Sequence, residues 1–193
     1  MATALLLTGA PGVGKTTLLR QLLRTLAVPS DGFFTTEIRE GDRRAGFAVE
    51  DLAGRRGVLA RAGGPSPADP RALGGPRVGR YRVDLGALEA VGVAALERAP
   101  HGAGLIVIDE IGKMEACSPR FRAAVERALE TPHAVIVGTI AQAAHPWIDR
   151  VKVHPAVTLV PLTAASRAEV LAHVTERVRS AILAYQALGG DRP

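Results

Sequence analysis

The sequence predicts an α/β protein whose mostly parallel β-sheet is covered by helices on both faces. Apolar runs alternate along the chain with segments whose apolar residues recur every three or four positions, as strands alternating with helices do. Several of the apolar runs are unbroken, which is typical of strands buried on both faces of a sheet. The length of 193 residues suits one domain, 1–193, with a core of its own.

The first predicted unit is a strand, a glycine-rich loop and a helix. Residues 4–8 are apolar, and leucines after the loop recur at helical spacing over residues 18–26. The loop reads GAPGVGKTT over residues 9–17 and fits the pattern G-x-x-x-x-G-K-[ST]. Its glycines let the backbone turn tightly, so that several N–H groups and the helix N-terminus face one anion. The sequence therefore predicts a phosphate-binding loop, the P-loop or Walker A motif.

Every position of this loop is a predicted nucleotide-binding residue. The predicted set is Gly9, Ala10, Pro11, Gly12, Val13, Gly14, Lys15, Thr16 and Thr17. Lys15 is expected to reach the β- and γ-phosphates of a bound nucleotide and is a predicted catalytic residue. The Thr16 hydroxyl is expected to be a ligand of Mg²⁺, which is the expected cofactor.

After the first helix, the chain leaves the alternation of strands and helices. Residues 33–39 (FFTTEIR) are rich in aromatic and β-branched side chains, and we expect a strand that ends in a turn at Gly41 and Asp42. Further short strands are expected around residues 47–49, 58–60 and 81–83, with a Gly/Pro-rich loop, expected to be mobile, over 62–77. The span from about Arg39 to Asp84 is therefore predicted to be an antiparallel hairpin excursion from the sheet.

The alternation of strands and helices resumes after Asp84. The expected helices lie within residues 85–96, 121–129 and 171–185, and the expected strands are 105–108, 134–137 and 157–160. Because each strand is a continuous apolar run and a helix follows or precedes it, this part of the chain is expected to form the parallel sheet.

Two acids follow the apolar strand at residues 105–108 and complete the predicted site. A P-loop needs a carboxylate for its Mg²⁺, usually at the end of a neighbouring strand, and Asp109 has that position, as in a Walker B motif. A nearby cation favours the ionised form, so Asp109 is expected to stay charged as a metal ligand. Glu110 is expected to orient a water molecule, or accept its proton, beside the γ-phosphate as a catalytic residue.

The residues around these acids are also part of the predicted site. The predicted nucleotide-binding set here is Leu105, Ile106, Val107, Ile108, Asp109, Glu110, Ile111 and Gly112. Thr139 follows the next apolar strand, where a polar side chain can sense the γ-phosphate. An ordinary threonine at a strand end fits this position equally well.

Composition and charge disfavour several other classes of protein. The formal net charge is +5, but the basic residues are scattered arginines and only three lysines, without a dense basic run or interleaved aromatics. Nucleic acid is therefore not an expected partner. Cys117 is the only cysteine, which excludes an internal disulfide, and no apolar stretch approaches the roughly 18 residues of a membrane-spanning helix. We expect a cytoplasmic monomer without membrane association, whose partners are nucleoside triphosphates.

Together these motifs resemble the THEP1-type nucleoside-triphosphatases, a family that includes the human cancer-related nucleoside-triphosphatase. The similarity runs nearly end to end: it covers GAPGVGKTT, GFFTTEIR from Gly32, Gly46-Phe47, VIDEIGKME from Val107 to Glu115, Phe121-Arg122, Gly138-Thr139-Ile140 and His145-Pro146. The stretch VIDEIGKME is more specific than either Walker motif. The resemblance implies a RecA-like P-loop fold and slow, Mg²⁺-dependent hydrolysis of nucleoside triphosphates to diphosphate and phosphate. It also implies broad base tolerance over ATP, GTP, CTP and UTP.

One position departs from this family pattern. Relatives often carry Asn-Arg at the start of the last helix, where this chain has Ser166 and Arg167. The resemblance implies a base contact for Arg167, whereas the contact of the asparagine is lost or replaced.

Two other functions remain open at this point. A small-molecule or nucleoside kinase would use the loop over 62–77 as a lid, although Glu110 beside the γ-phosphate fits water activation better. A nucleotide-dependent switch associated with RNA would show a strong rate increase with its partner. A guanine-specific GTPase is disfavoured, because a chain without asparagine has no Asn-Lys-x-Asp motif. Candidates for an arginine finger are Arg39, Arg80 and Arg150.

Overall fold

The computed structural model describes residues 2–63, 75–99 and 104–187. The strands are β1 (Thr3–Thr8), β2 (Ser30–Glu40), β3 (Arg43–Asp51), β4 (Arg56–Ala62), β5 (Arg77–Val78), β6 (Tyr81–Val83), β7 (Leu105–Ile111), β8 (Val135–Ile140) and β9 (Val157–Pro161). The α-helices are α1 (Lys15–Leu26), α2 (Leu85–Ala87), α3 (Ala94–Arg98), α4 (Pro119–Glu130), α5 (Pro146–Lys152) and α6 (Arg167–Ala187). The predicted α/β class is confirmed.

The described strands form one sheet in the order β5-β6-β4-β3-β2-β7-β8-β1-β9. The five strands β2, β7, β8, β1 and β9 run parallel to one another, as the unbroken apolar runs predict. The strands β3, β4, β6 and β5 add to the edge of β2 in antiparallel pairs. The sheet is therefore large and mixed, and the antiparallel excursion contributes almost half of its strands.

Helices cover both faces of the parallel half, as expected. On one face, α1 and α6 pack against the sheet through buried residues such as Leu22 and Val178. The other face is covered by α3, α4 and α5, where the ring of Phe121 lies edge-on to those of Phe33 and Trp147, with 6.0 Å between ring centroids in each pair. These two cores hold the strands rigidly and so fix the positions of the residues at their ends. No helix in the described ranges is long and apolar enough to cross a membrane.

The strand β8 lies between the strand that leads into the glycine loop and the strand that ends in the two acids. Gly138 is in register with Leu6 of β1 and with Ile108 of β7. A Cβ atom at Gly138 would collide with the carbonyl oxygen of Ile108, so the absence of a side chain permits this close approach. Because the three strands are parallel, the glycine loop, Thr139 and Asp109 all lie at one edge of the sheet.

The excursion begins with a long hairpin of β2 and β3 around a turn at Gly41, where the sequence predicts it. The strand β2 pairs with β7 as far as Phe34, which is opposite Asp109, and its remaining residues pair with β3. The hairpin therefore projects beyond the edge of the parallel sheet that carries the glycine loop. Residues 64–74 of the predicted loop over 62–77 lie outside the described residues, so its expected mobility stays a prediction.

Three local features differ from the sequence expectation. A π-helical segment (Leu88–Val93) interrupts the expected helix over 85–96 and joins α2 to α3. A 3-10 helix (Glu115–Cys117) follows β7, and the short helix α5 has no counterpart among the expected elements. Each of the three is short and packs against the sheet or a neighbouring helix, so its conformation depends on tertiary contacts that sequence periodicity does not carry.

Candidate active site

The glycine loop joins β1 to α1 and has the backbone geometry that the motif requires. Gly12 and Gly14 have φ angles of +77° and +100°, in the left-handed region that favours glycine. Helix α1 begins at Lys15, directly after Gly14, so the first helical N–H groups face the loop. A Cβ atom at Gly9 would lie 2.5 Å from the carbonyl oxygen of Leu162, so this glycine permits close packing on the segment after β9. The loop is therefore built as an anion cradle.

Two cationic side chains lie against this loop. The Lys15 ammonium group donates to the carbonyl oxygens of Gly9, at 2.9 Å, and Ala10, at 3.3 Å. The Arg167 guanidinium group comes from the start of α6 and donates through Nε to the carbonyl oxygen of Val13 at 2.9 Å. The structure thus brings the predicted base-contact residue to the glycine loop, 154 residues away in sequence.

Asp109 lies at the centre of the site and is almost fully buried, with 1% of its surface exposed. Its Oδ1 accepts a hydrogen bond from the Thr139 hydroxyl at 2.6 Å, whereas its buried Oδ2 has no hydrogen-bond partner among the described residues. Burial raises the pKa of Asp109, while the hydrogen bond from Thr139, the nearby Thr16 hydroxyl and the charge of Lys15 act in the opposite direction. A buried carboxylate with an open oxygen beside a threonine hydroxyl fits a hard cation such as Mg²⁺.

Thr139 has a clear contact that the sequence did not predict. Its hydroxyl is fully buried and donates to Asp109, which fixes the orientation of that carboxylate. The predicted role as a γ-phosphate sensor stays a prediction, and the observed contact gives Thr139 a positioning role toward the proposed metal ligand.

Glu110 is the next residue and is less buried than Asp109. Burial raises its pKa, the charge of Lys15 lowers it, and the charge of Asp109 raises it further. The charge of Lys15 acts on both Glu110 and Asp109, so both acids lie within electrostatic range of the glycine loop. A carboxylate with a raised pKa is a stronger base in its ionised form, which suits proton acceptance from water.

A second buried carboxyl group lies close to Glu110, outside the predicted set of site residues. Glu115 begins the 3-10 helix after β7 and is 5% exposed. Its Oε2 lies 2.7 Å from the position of a Cβ atom at Gly112, and Glu110 Cγ lies 3.6 Å from the same point. Burial, together with the charges of Glu110 and Asp109, raises the pKa of Glu115 to about 8. Gly112 therefore leaves room for two carboxyl side chains, and that of Glu115 is neutral near pH 7.

Five residues of the predicted nucleotide-binding set have side chains that are buried in the hydrophobic cores. Their side chains are between 0% and 2% exposed and pack in the two hydrophobic cores: Leu105, Ile106, Val107, Ile108 and Ile111. Because both faces of β7 are covered, these side chains hold the strand in place instead of lining a cleft. We therefore do not propose them as ligand contacts.

The three arginine-finger candidates lie at the periphery of the described structure. Arg39 and Arg80 belong to the antiparallel excursion, where they donate to the carbonyl oxygens of Asp42 and Arg44 at 2.8 and 2.7 Å. Arg150 is exposed on α5. The contacts of the described residues thus bring none of the three to the glycine loop.

A groove of about 580 Å³ runs between α1 and α6 and begins at the glycine loop. Gly14, Thr17 and Arg167 lie at this end, and Gln21 and Leu171 line the next turns of the two helices. A volume of this size is in the range of small-ligand sites. The groove therefore offers space for the part of a ligand that extends from the phosphate cradle.

Comparisons with known proteins identify the family. The model of a family described as NTPase matches residues 4–175. The nucleoside-triphosphatase THEP1 of Thermotoga maritima is 42% identical over 167 residues, which are 86% of this chain and 90% of that protein. This chain belongs to the THEP1-type nucleoside-triphosphatase family.

Two further comparisons support the same family assignment. The human cancer-related nucleoside-triphosphatase is 46% identical over 147 residues, 72% of this chain and 76% of that protein. The crystal structure of THEP1 from the hyperthermophile Aquifex aeolicus matches with a TM-score of 0.78 at 31% identity, covering 92% of this chain and 99% of that chain. The family and the P-loop fold that the resemblance implied are therefore confirmed, and the THEP1-type fold extends over almost the whole chain.

Proposed function

We propose that this THEP1-type protein hydrolyses the β–γ phosphoanhydride bond of nucleoside triphosphates in a Mg²⁺-dependent reaction with broad base tolerance. The observation that carries the proposal is the open Oδ2 of the buried Asp109, beside Thr16 and close to Lys15. A buried carboxylate oxygen without a partner is costly unless a cation or a donor occupies the site in use. The names of the related proteins, which are nucleoside-triphosphatases, support the same reaction.

The glycine loop and Lys15 bind the phosphates in this proposal. The backbone N–H groups at the start of α1 donate to phosphate oxygens, and Lys15 exchanges its two carbonyl contacts for the β- and γ-phosphates. Thr16 and Asp109 would hold Mg²⁺, which usually binds through few protein ligands together with substrate phosphates. When bound, Mg²⁺ supplies positive charge that stabilises the phosphate oxygens during bond cleavage.

Glu110 positions the attacking water. It lies near the end of β7 within electrostatic range of Lys15, and burial raises its pKa above the ordinary value, which makes its carboxylate a better proton acceptor. Catalysis then comes mainly from positioning and charge stabilisation, as for phosphoryl transfer in general. Thr139 keeps Asp109 in the orientation that this arrangement needs.

The groove between α1 and α6 supports the proposed broad base tolerance. The base would lie at the end of the groove nearest the glycine loop, where Arg167 presents a planar guanidinium group that can stack on any base. Stacking of this kind does not distinguish one base from another, so discrimination between bases should stay below about a thousandfold, or roughly 4 kcal/mol. A cytoplasmic location and a monomeric state stay predictions from the sequence.

The test compares two neighbouring substitutions in β7. We expect Asp109→Asn to weaken Mg²⁺-dependent ATP binding and to lower turnover, because Asp109 is a proposed ligand of Mg²⁺. We expect Glu110→Gln to keep ATP affinity within a few-fold and to lower turnover by about 10²–10⁴-fold, the usual contribution of a positioned acid–base group. Calorimetry gives the affinities, and single-turnover hydrolysis of prebound ATP gives the rates without product release. Turnover of Glu110→Gln at the parent rate would contradict the assignment of Glu110 and favour a kinase reaction.

A further inference from the structure

An arginine-lined pocket lies on the antiparallel excursion, away from the glycine loop. The cavity has a volume of about 430 Å³, and its charged lining residues are Arg43, Arg44, Arg61 and Arg80 with one acid, Glu40. Its other lining residues are alanines and a glycine. Because arginine stays protonated at any physiological pH, four guanidinium groups and one carboxylate give the pocket lining a net charge of +3.

Two of these arginines are held in place by contacts within the excursion. Arg80 Nη2 donates to the carbonyl oxygen of Arg44 at 2.7 Å and to the Tyr81 hydroxyl at 3.1 Å, and its guanidinium carbon lies 5.1 Å from the Tyr81 ring centroid. Arg44 forms an ion pair with Glu37 and lies over the ring of Phe47. The walls of the pocket are therefore fixed before any ligand binds, which lowers the entropy cost of binding.

The other two arginines have donors available. Arg43 is exposed, and its side chain has no hydrogen bond or ion pair with any described residue. Arg61 has one weak contact, 3.4 Å from Glu40, and its side chain is 24% exposed. Arg43 and Arg61 therefore bring unused guanidinium donors to a pocket whose walls are already positively charged. Glu37 and Glu40 offset two of the four positive charges, and the positive charge that remains attracts an anion.

We propose that the arginine pocket binds a compact polyphosphate anion. Planar guanidinium groups match phosphate oxygens through paired hydrogen bonds, and several of them facing one cavity favour closely spaced phosphates. The volume suits a small ligand of this kind. The shared chemistry is a chain of phosphate groups, either an inorganic polyphosphate or the phosphate tail of a free nucleotide.

The pocket is separate from the proposed catalytic site. The strand β2 is opposite Asp109 at Phe34, and Glu40 is six residues farther along the strand. At about 3.3 Å per residue, the pocket lies about 20 Å from the acids of β7. Binding there does not depend on Lys15, and this independence separates the proposal from the proposed function.

The experiment uses the full chain with Lys15→Ala, so that the glycine loop contributes little to binding. Calorimetry at about 0.15 M salt measures binding of inorganic tripolyphosphate in one arm and of Mg²⁺-free ATP in the other, because salt screens attraction by the general surface charge. The test variant adds Arg43→Gln and Arg61→Gln, which leave the contacts of Arg44 and Arg80 in place. The matched control adds Arg24→Gln and Arg177→Gln, two exposed arginines on α1 and α6.

We expect Lys15→Ala to bind tripolyphosphate with one-to-one stoichiometry. The pocket variant should bind at least about tenfold more weakly, and the control variant should change less than about twofold. Equal affinity of ATP and tripolyphosphate would identify a nucleotide tail as a ligand source, and weaker ATP binding would identify the inorganic anion. Three results would overturn the proposal: no binding to Lys15→Ala, unchanged binding to the pocket variant, or an equal loss in the control.

Discussion

Lys15 is the single residue on which phosphate binding depends most directly. Its ammonium group already lies over the glycine loop through two carbonyl contacts, and it is half-exposed, so it contributes little to the core. We predict that Lys15→Ala weakens ATP binding by about 2–3 kcal/mol, roughly a hundredfold, because a charge-assisted contact is lost. Calorimetry on the folded variant measures this, with Arg24→Ala on the same helix as the control. Unchanged ATP affinity would remove the basis for the assigned phosphate site.

Glu115 gives a prediction about stability and pH. Its pKa is raised from 4.5 to about 8, so the folded state holds the proton more tightly than the unfolded state does. The stability from this protonated group is fully present below about pH 4.5 and is lost as the pH rises toward 8. Glu115→Gln has no such proton to lose. Relative to the parent, its free energy of unfolding should therefore rise with pH across this window, by at most about 1.4 kcal/mol per pH unit.

Urea unfolding at several pH values between 4.5 and 8 measures this difference. Glu169→Gln, which changes an exposed acid on α6, is the matched control and should follow the parent curve. If the free energy of unfolding of Glu115→Gln also changes with pH in parallel with that of the parent, Glu115 is not a buried neutral acid.

At the scale of elements, the pairing of β2 with β7 determines where the hairpin leaves the sheet. Gly32 is opposite Val107, has a φ angle of +132°, and a Cβ atom there would collide with the Val107 carbonyl oxygen. We predict that Gly32→Ala destabilises the protein by about 2–4 kcal/mol, because strain adds to a broken strand contact. Gly41→Ala, at a φ of +59° with open space around it, should cost only about 1 kcal/mol. Thermal unfolding of both variants is the measurement, and equal losses would contradict this explanation.

The elements that the sequence predicted are those with a long or continuous apolar pattern. The leucines of α1 and the apolar run of β7 are examples, because each pattern matches one periodicity over many residues. Helix α5 was missed, since it has seven residues and its buried Trp147, Ile148 and Val151 contact the core only in the folded chain. Its signals were Pro146 at the first turn and these three apolar positions, which are too few for a periodicity argument.

At the scale of the whole molecule, the parts of the site that could be predicted are those fixed by topology. The glycine loop follows β1, and Asp109 lies near the carboxyl end of β7. Parallel strands therefore bring both to one edge of the sheet, whatever path the chain takes between them. The sequence did not reveal that Thr139 donates to Asp109 or that Glu115 is buried beside Glu110. Both contacts depend on details of packing, namely the place of β8 between β1 and β7 and the 3-10 helix after β7.

Phosphate release from ATP, GTP, CTP and UTP by the full chain, with Mg²⁺ and with a chelator, is the decisive assay of the proposed hydrolysis. We predict release from all four nucleotides with less than about a thousandfold spread in kcat/KM, because the Arg167 guanidinium group at the groove can stack on any base. We also predict that phosphate release is lost with chelator and in Lys15→Ala, since the metal and the loop lysine both act on the phosphates. Phosphate release from only one of the four nucleotides, or at the same rate with chelator, would contradict the proposed function.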